Sequence, residues 1–303
     1  MKITIFGAGA LGGYIGAKLA QTQAQISLIA RGPHLEVMQD AGLTLIEGEG
    51  YINVDVIASD TTSFLGEQDY LLLTLPPSAT AAALDEIAPL IGPRTTVISM
   101  AVGLPWWYFH AADGQFEGTR LASLDPDGAL WAAFGPDRML GCAVKAQAVL
   151  LQPGVIRHVA GNQIFLGEPT GQPSARAQKL SALMSEAGID APIRPHIRED
   201  LWTALVADLQ ALPLSGPGAE EARETLRGEA EQIAKSLGFS LPRTCPPALD
   251  THLAALWRDI EAGRAPEITA QLAALCELGA LLGLPTPSLD QALALLVETS
   301  TDQ

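Results

Sequence analysis

Through the first 195 residues, short apolar runs take turns with stretches in which apolar side chains recur every three or four positions. Lys2–Phe6, Ile26–Ala30, Tyr70–Leu75 and Thr95–Met100 are apolar runs of strand length. Ala10–Ala20 and Ala79–Leu90 carry helical spacing between them. Strands that alternate with helices build a parallel sheet covered on both faces. Leu43–Ala58 alternates around Gly48 and Gly50 and predicts an antiparallel hairpin at the edge of that sheet. Met139–Leu151 and Val155–Leu166, divided by Pro153-Gly154, predict a second strand pair. Beyond Pro195 the spacing is helical: Ile197–Leu212, Ala219–Leu237, Ala248–Ala262 and Glu267–Leu282 all show it.

The first strand runs into Gly7-Ala8-Gly9-Ala10-Leu11-Gly12, a GxGxxG sequence that opens the first helix. In that context the glycines have separate uses. Gly7 permits a tight turn, Gly9 lets backbone approach a pyrophosphate, and Gly12 lets the helix pack on the strand. The helix N-terminus then presents unpaired N–H groups and a positive dipole end to the phosphates. With this fingerprint the pattern predicts an α/β fold. Residues 1–195 form an N-terminal Rossmann domain for NADP, and residues 196–303 a C-terminal all-helical domain for substrate binding and dimerisation. The second strand ends on Ala30-Arg31-Gly32 rather than on the acidic residue that holds an NAD ribose. A guanidinium suits a 2′-phosphate, so Arg31 points to NADP as cofactor.

Composition narrows the partners. With 34 acidic against 18 basic residues the formal net charge is −16. That balance argues against nucleic acid or an anionic membrane surface. Cys142, Cys245 and Cys276 are scattered without metal-ligand spacing and suggest reduced thiols in a cytoplasmic protein. No leader-like or membrane-spanning apolar run is expected.

Together the fingerprint, the Arg31 turn and the helical C-terminal half resemble the ketopantoate reductase (2-dehydropantoate 2-reductase) family. The most specific stretches are MKITIFGAGALGGYIGAKLA, Gly103-Leu104-Pro105-Trp106-Trp107-Tyr108-Phe109, GCAVKAQAVLLQPGVIRHV, and Asp259 to Ile268. The resemblance implies NADPH-dependent reduction of a 2-keto acid to a 2-hydroxy acid. In that family a helix-borne Lys, two residues after a Trp, donates the proton. Here the matching position after Trp202 is Ala204, and the substrate-binding Asn positions that follow are Asp208 and Leu212. The family's Asn after strand five matches Val102, its Lys after strand four matches Pro76, and a substrate-binding Ser matches Ala255. The resemblance places Glu267 at the nicotinamide end of the cleft, and Val102 and Gln147 among the cofactor contacts.

These departures run from polar to small or apolar, which counts against efficient ketopantoate reduction, since a general acid contributes about 10²–10⁴-fold in rate. Three side chains could supply an acid instead. Lys145 follows the Gly141-Cys142-Ala143-Val144 segment beside the nicotinamide, although an ordinary strand-end Lys reads the same way. Asp208 and Glu267 could share one proton if they meet in a poorly solvated cleft, although each also fits a solvated helix position. The Trp106-Trp107-Tyr108-Phe109 cluster fits core packing, with a substrate clamp as the alternative. Three functions stay open: a reductase of a 2-keto acid or related carbonyl, a cofactor-binding paralogue without turnover, and a reductase of a neutral or cationic substrate such as an imine.

Overall fold

The computed structural model describes residues 1–210, 212, 218–241 and 267–301. The predicted helix Ala248–Ala262 lies outside them, as do Ala255 and most of the stretch from Asp259. The fold is mixed α/β, with a Rossmann-like N-terminal region and a helical C-terminal region. The chain divides into two compact units. The first holds residues 1–101, 109–118 and 129–197; the second holds residues 102–108, 119–128 and 198–303.

The first unit opens with β1 (Lys2–Phe6), α1 (Ala10–Leu19), β2 (Gln25–Ile29) and α2 (Gly32–Ala41). β3 (Leu43–Glu47), β4 (Gly50–Val54), β5 (Ile57–Ser59) and β6 (Tyr70–Leu73) follow, then α3 (Pro77–Ala82), α4 (Leu84–Ile87) and β7 (Thr96–Ser99). α5 (Ala129–Phe134), the long strands β8 (Gly141–Gln152) and β9 (Val155–Gly167), and α6 (Ala175–Glu186) complete it. Five strands pair in parallel in the order β5-β2-β1-β6-β7. Their sequence explains this arrangement, because β6 is buried at every position and β1 at all but Lys2. Strands without a polar face are stable only when both sides are covered. The order reverses between β1 and β6, so a crevice opens beyond the carboxyl ends of the strands there.

The hairpin β3–β4 does form, but it does not extend the parallel sheet. β5 takes that edge, while β3 and β4 join β8 and β9 in a second sheet of order β4-β3-β9-β8. Alternation sets which face of a strand is buried and leaves open which sheet it joins. The predicted helix Ala79–Leu90 is broken into α3, α4 and a 3₁₀ turn at Ala88–Leu90.

α1 packs against β2 of the first sheet and against β3, β8 and β9 of the second. Every residue from Gly12 to Ala17 is buried, so the helix has no water-facing side over that stretch. Its glycines make this approach physical. A Cβ on Gly16 would stand 2.6 Å from a Leu28 methyl in β2, and one on Gly13 would stand 2.8 Å from Ile156 in β9.

The second unit contains α7 (Ile197–Gln210), α8 (Ala219–Ser236), α9 (Glu267–Leu282) and α10 (Pro287–Thr301). The chain segments 102–108 and 119–128 belong to it rather than to the N-terminal part that precedes them. Among the described residues no helix is long and apolar enough to cross a membrane.

One buried ionic cluster ties the first unit together. Glu168, 7 % exposed, accepts Arg176 Nε at 2.7 Å and Nη2 at 2.5 Å. The same guanidinium donates to the Asp137 and Met139 carbonyls, and Ser174, the N-cap of α6, donates to the Glu168 carboxylate. Removing one partner strands the other's charge. Arg176→Ala is therefore expected to lower unfolding free energy by about 3 kcal/mol, read as a fall in the denaturant midpoint. An unchanged midpoint would show that water solvates Glu168 adequately.

Candidate functional site

The glycine loop between β1 and α1 is held from three sides. Gly7 and Ala8 both donate their N–H to the Ile29 carbonyl at the end of β2, at 3.2 and 2.8 Å. Thr74, just past β6, donates its hydroxyl to the Gly7 carbonyl and its N–H to the Phe6 carbonyl. His34 in α2 meets the Ala8 carbonyl through Nε2 at 2.7 Å and accepts the Gly154 N–H at Nδ1 at 2.8 Å. A carbonyl on one side and an N–H on the other fit the neutral ring with its proton on Nε2. The imidazole thereby joins the loop to the turn between β8 and β9.

Gly7 has φ +107°, a conformation that side chains rarely adopt. A Cβ on Gly12 would land on the Gly7 carbonyl, whereas the space over Gly9 is open beyond 4 Å. α1 starts at Gly9 with no side-chain cap and no acidic residue in its first turn. Its leading N–H groups and dipole end therefore face that open space without an internal acceptor. This is a receptive site for an anion such as a pyrophosphate.

A cleft of about 500 Å³ runs from the loop along the ends of β1 and β2. Gly7, Ala8, Gly9, Ile29, Ala30 and Leu75 line it, together with the small side chains of Ala79, Ala82 and Ala83. Arg31, His34 and Glu86 supply its polar lining. Arg31 is 68 % exposed, and its Nη2 lies 2.6 Å from Glu86 Oε1 and 2.7 Å from Oε2. A nicotinamide dinucleotide fits this lining. Open backbone at Gly9 and the first-turn N–H groups of α1 suit phosphates, and the apolar lining beside the Arg31 cation suits an adenosine half.

The cleft thus gathers Gly7, Ala8, Gly9 and Arg31 from the predicted set, with Ala10, Leu11 and Gly12 forming the adjoining helical turn. Glu86 and His34, which line the cleft, and Thr74, which holds the glycine loop, are positions that the sequence pattern did not disclose. Gln147 is 5 % exposed on β8, at a shift of register against β9, and its side-chain nitrogen has no partner. Lys145 is not at a strand end: β8 continues past it to Gln152, and its Nζ lies 4.5 Å from the centre of the Phe165 ring.

In the second unit, Val102 and Asp208 are half-buried, and Glu267 is the first residue of α9. Ala204 is half-buried on α7. Gly103, next to Val102, has φ +90° over Gln271, whose amide accepts the Leu104 N–H and donates to the Leu104 carbonyl. Trp106, Trp107 and Tyr108 are core positions of this unit, each no more than 3 % exposed, and Phe109, which belongs to the first unit, is buried as well. Tyr108 receives the Trp202 indole N–H at 2.7 Å, and burial raises its phenol well above the usual range. Its ring and hydroxyl are thereby used inside the unit. Among the described residues no group of His, Cys, Asp or Glu could hold a metal ion.

Residues 3–105 match the family described as "Ketopantoate reductase PanE/ApbA". A 2-dehydropantoate 2-reductase of Mesorhizobium japonicum is 42% identical over 98% of this chain and 97% of its own length. A structure from Ralstonia solanacearum, described as a candidate ketopantoate reductase, superposes with a TM-score of 0.86 at 32% identity. That match covers 99% of this chain and 98% of the other. D-mandelate dehydrogenase, solved with NADH and anilino(oxo)acetate, shares the fold with a TM-score of 0.78 at 18% identity, over 100% of this chain and 99% of its own.

The close contact between Gly12 and the Gly7 carbonyl generates a test. Gly12→Ala forces the loop away from α1, and overpacking of this kind corresponds to about tenfold or more in dinucleotide affinity. Fluorescence titration of reduced cofactor should show that loss with the circular dichroism spectrum unchanged. Unaltered affinity would mean the loop does not contact the cofactor.

Proposed function

The chain belongs to the ketopantoate reductase family, and from that premise we propose that it is an NADP(H)-dependent reductase of a 2-keto acid or a related carbonyl compound. The observation that carries this reading is the cleft itself, whose lining joins an uncapped helix N-terminus to the Arg31 guanidinium, groups that match the charges of a phosphorylated dinucleotide. When bound, the nicotinamide supplies the hydride that reduces the carbonyl carbon. The chain's own residues divide the remaining work. Gly9 and the first turn of α1 hold the pyrophosphate, Arg31 the 2′-phosphate, and the alanine wall of α3 lies along the adenosine half. Gln147, with its unpartnered buried amide, can donate to a cofactor oxygen or amide.

The proton that completes reduction has to come from elsewhere than position 204, where a methyl group stands. Glu267 and Asp208 remain the proposed acids, with Lys145 less suited because its ammonium lies over Phe165. A cofactor-binding protein without turnover is the second reading, and Ala204 and Val102 favour it, since neither can orient or protonate a carbonyl oxygen.

Two measurements test the proposal. Arg31→Ala should weaken NADPH binding by about tenfold to a hundredfold, the range for losing a charge-assisted phosphate contact, and leave NADH binding within about twofold. Equal losses for both cofactors would refute the NADP assignment. Ketopantoate turnover by the unaltered protein should fall well below about 10 per second, a typical enzyme rate. Ala204→Lys should raise it by about a hundredfold or more if a general acid is what is missing. A rate near the typical value in the unaltered protein would show that another group supplies the proton, and Lys145→Met and Glu267→Gln would identify it.

A further inference from the structure

We infer that Glu86 is a specificity-determining residue of the cofactor cleft, a built-in competitor for the cofactor's 2′-phosphate that holds Arg31 until a phosphate displaces it. The inference rests on the proposal that Arg31 receives that phosphate.

Glu86 is well placed for this. It sits in α4, a single turn whose backbone is fixed from below: Ile87 is fully buried, and Thr62, 4 % exposed, donates its hydroxyl to the Glu86 carbonyl. The side chain is 41 % exposed and lines the same cleft as Arg31 and Ala30. Its carboxylate meets one guanidinium nitrogen, Nη2, with both oxygens. The strongest Arg–carboxylate pairs instead use two nitrogens in parallel. An exposed pair held through one nitrogen is weakly stabilised and is screened by salt, so a phosphate can replace it.

Two consequences follow from charge. A bound 2′-phosphate, close to doubly ionised at neutral pH, takes over Arg31 but stays beside an uncompensated carboxylate. Glu86 therefore penalises NADPH twice, by occupying its partner and by repelling its phosphate. NADH carries a ribose hydroxyl at that place, which suffers neither penalty and can donate to the carboxylate. The cleft thus holds both kinds of ribose-end recognition, a cation for the phosphate just past β2 and an acidic acceptor for the hydroxyl on α4. Glu86 narrows a preference that Arg31 alone would make wide.

The test is calorimetric titration of NADPH, NADH, adenosine 2′,5′-bisphosphate and 5′-AMP into the unaltered protein, Glu86→Gln, Arg31→Ala and the double variant. Glu86→Gln should tighten NADPH and the bisphosphate by about threefold to tenfold, in line with the small worth of one exposed ion pair. NADH and 5′-AMP should stay the same or bind more weakly. In the Arg31→Ala background the gain should shrink, because release of the guanidinium no longer contributes. If Glu86→Gln moves all four ligands alike, or none, while Arg31→Ala still weakens NADPH selectively, the inference is overturned and the NADP proposal stands. Should Arg31→Ala affect both cofactors equally, the NADP proposal fails and the inference with it.

Discussion

The first unit depends on one packing constraint: α1 is clamped between two sheets with its N-terminus left open. A helix squeezed from both sides needs small residues on both, and Gly13 and Gly16 provide the approach to Ile156 and Leu28. Water has no access to Gly12–Ala17, so the position and direction of the helix are set by hard contacts rather than by a polar face. Because the helix cannot slide, its uncapped first turn stays aimed into the crevice beyond β1 and β6. The exposed helix N-terminus is therefore a by-product of how the helix is packed.

Polar groups then fix the loop that the packing leaves free. Thr74 comes from the end of β6, His34 from α2, and the Ile29 carbonyl from β2. Each closes on a different atom of Gly7 or Ala8, so the loop conformation is overdetermined before any ligand arrives. Such preorganisation reduces the ordering that binding requires. The second unit uses the same device on a different segment. The Gln271 amide, 1 % exposed, satisfies both backbone groups of Leu104 and holds the turn at Gly103. Glu277 likewise accepts the Ala122 and Ser123 N–H groups, and Glu229 caps the start of α10 through Ser288 and Leu289.

What the sequence discloses follows from range. That the glycine fingerprint and Arg31 line one cleft is legible because their placement follows from local backbone geometry and one adjoining strand end. Glu86, His34 and Thr74 are not, because their contacts come from elements that meet only after folding: Glu86 reaches Arg31 across 55 residues, and Thr74 reaches Gly7 across 67. The β3–β4 hairpin is legible as a hairpin but not in its sheet, since period-two alternation carries no information about which edge it joins. α2 is masked by Gly32-Pro33, which reads as a turn yet serves as a helix start with Pro in the first turn. The break at Ala83 is hidden in a run of alanines that favours unbroken helix.

In the proposed function, the dinucleotide anchored in this cleft passes a hydride from its reduced nicotinamide to the carbonyl carbon of a 2-keto acid. The direct measurement is isotope transfer: NADPH deuterated at the hydride-donating C4 position is incubated with the protein and a panel of 2-keto acids, and the products are analysed by mass spectrometry and NMR. The expected product is a 2-hydroxy acid carrying one deuterium at C2, formed in step with cofactor oxidation. Saturating NADPH binding with no deuterated alcohol from any member of the panel would contradict it.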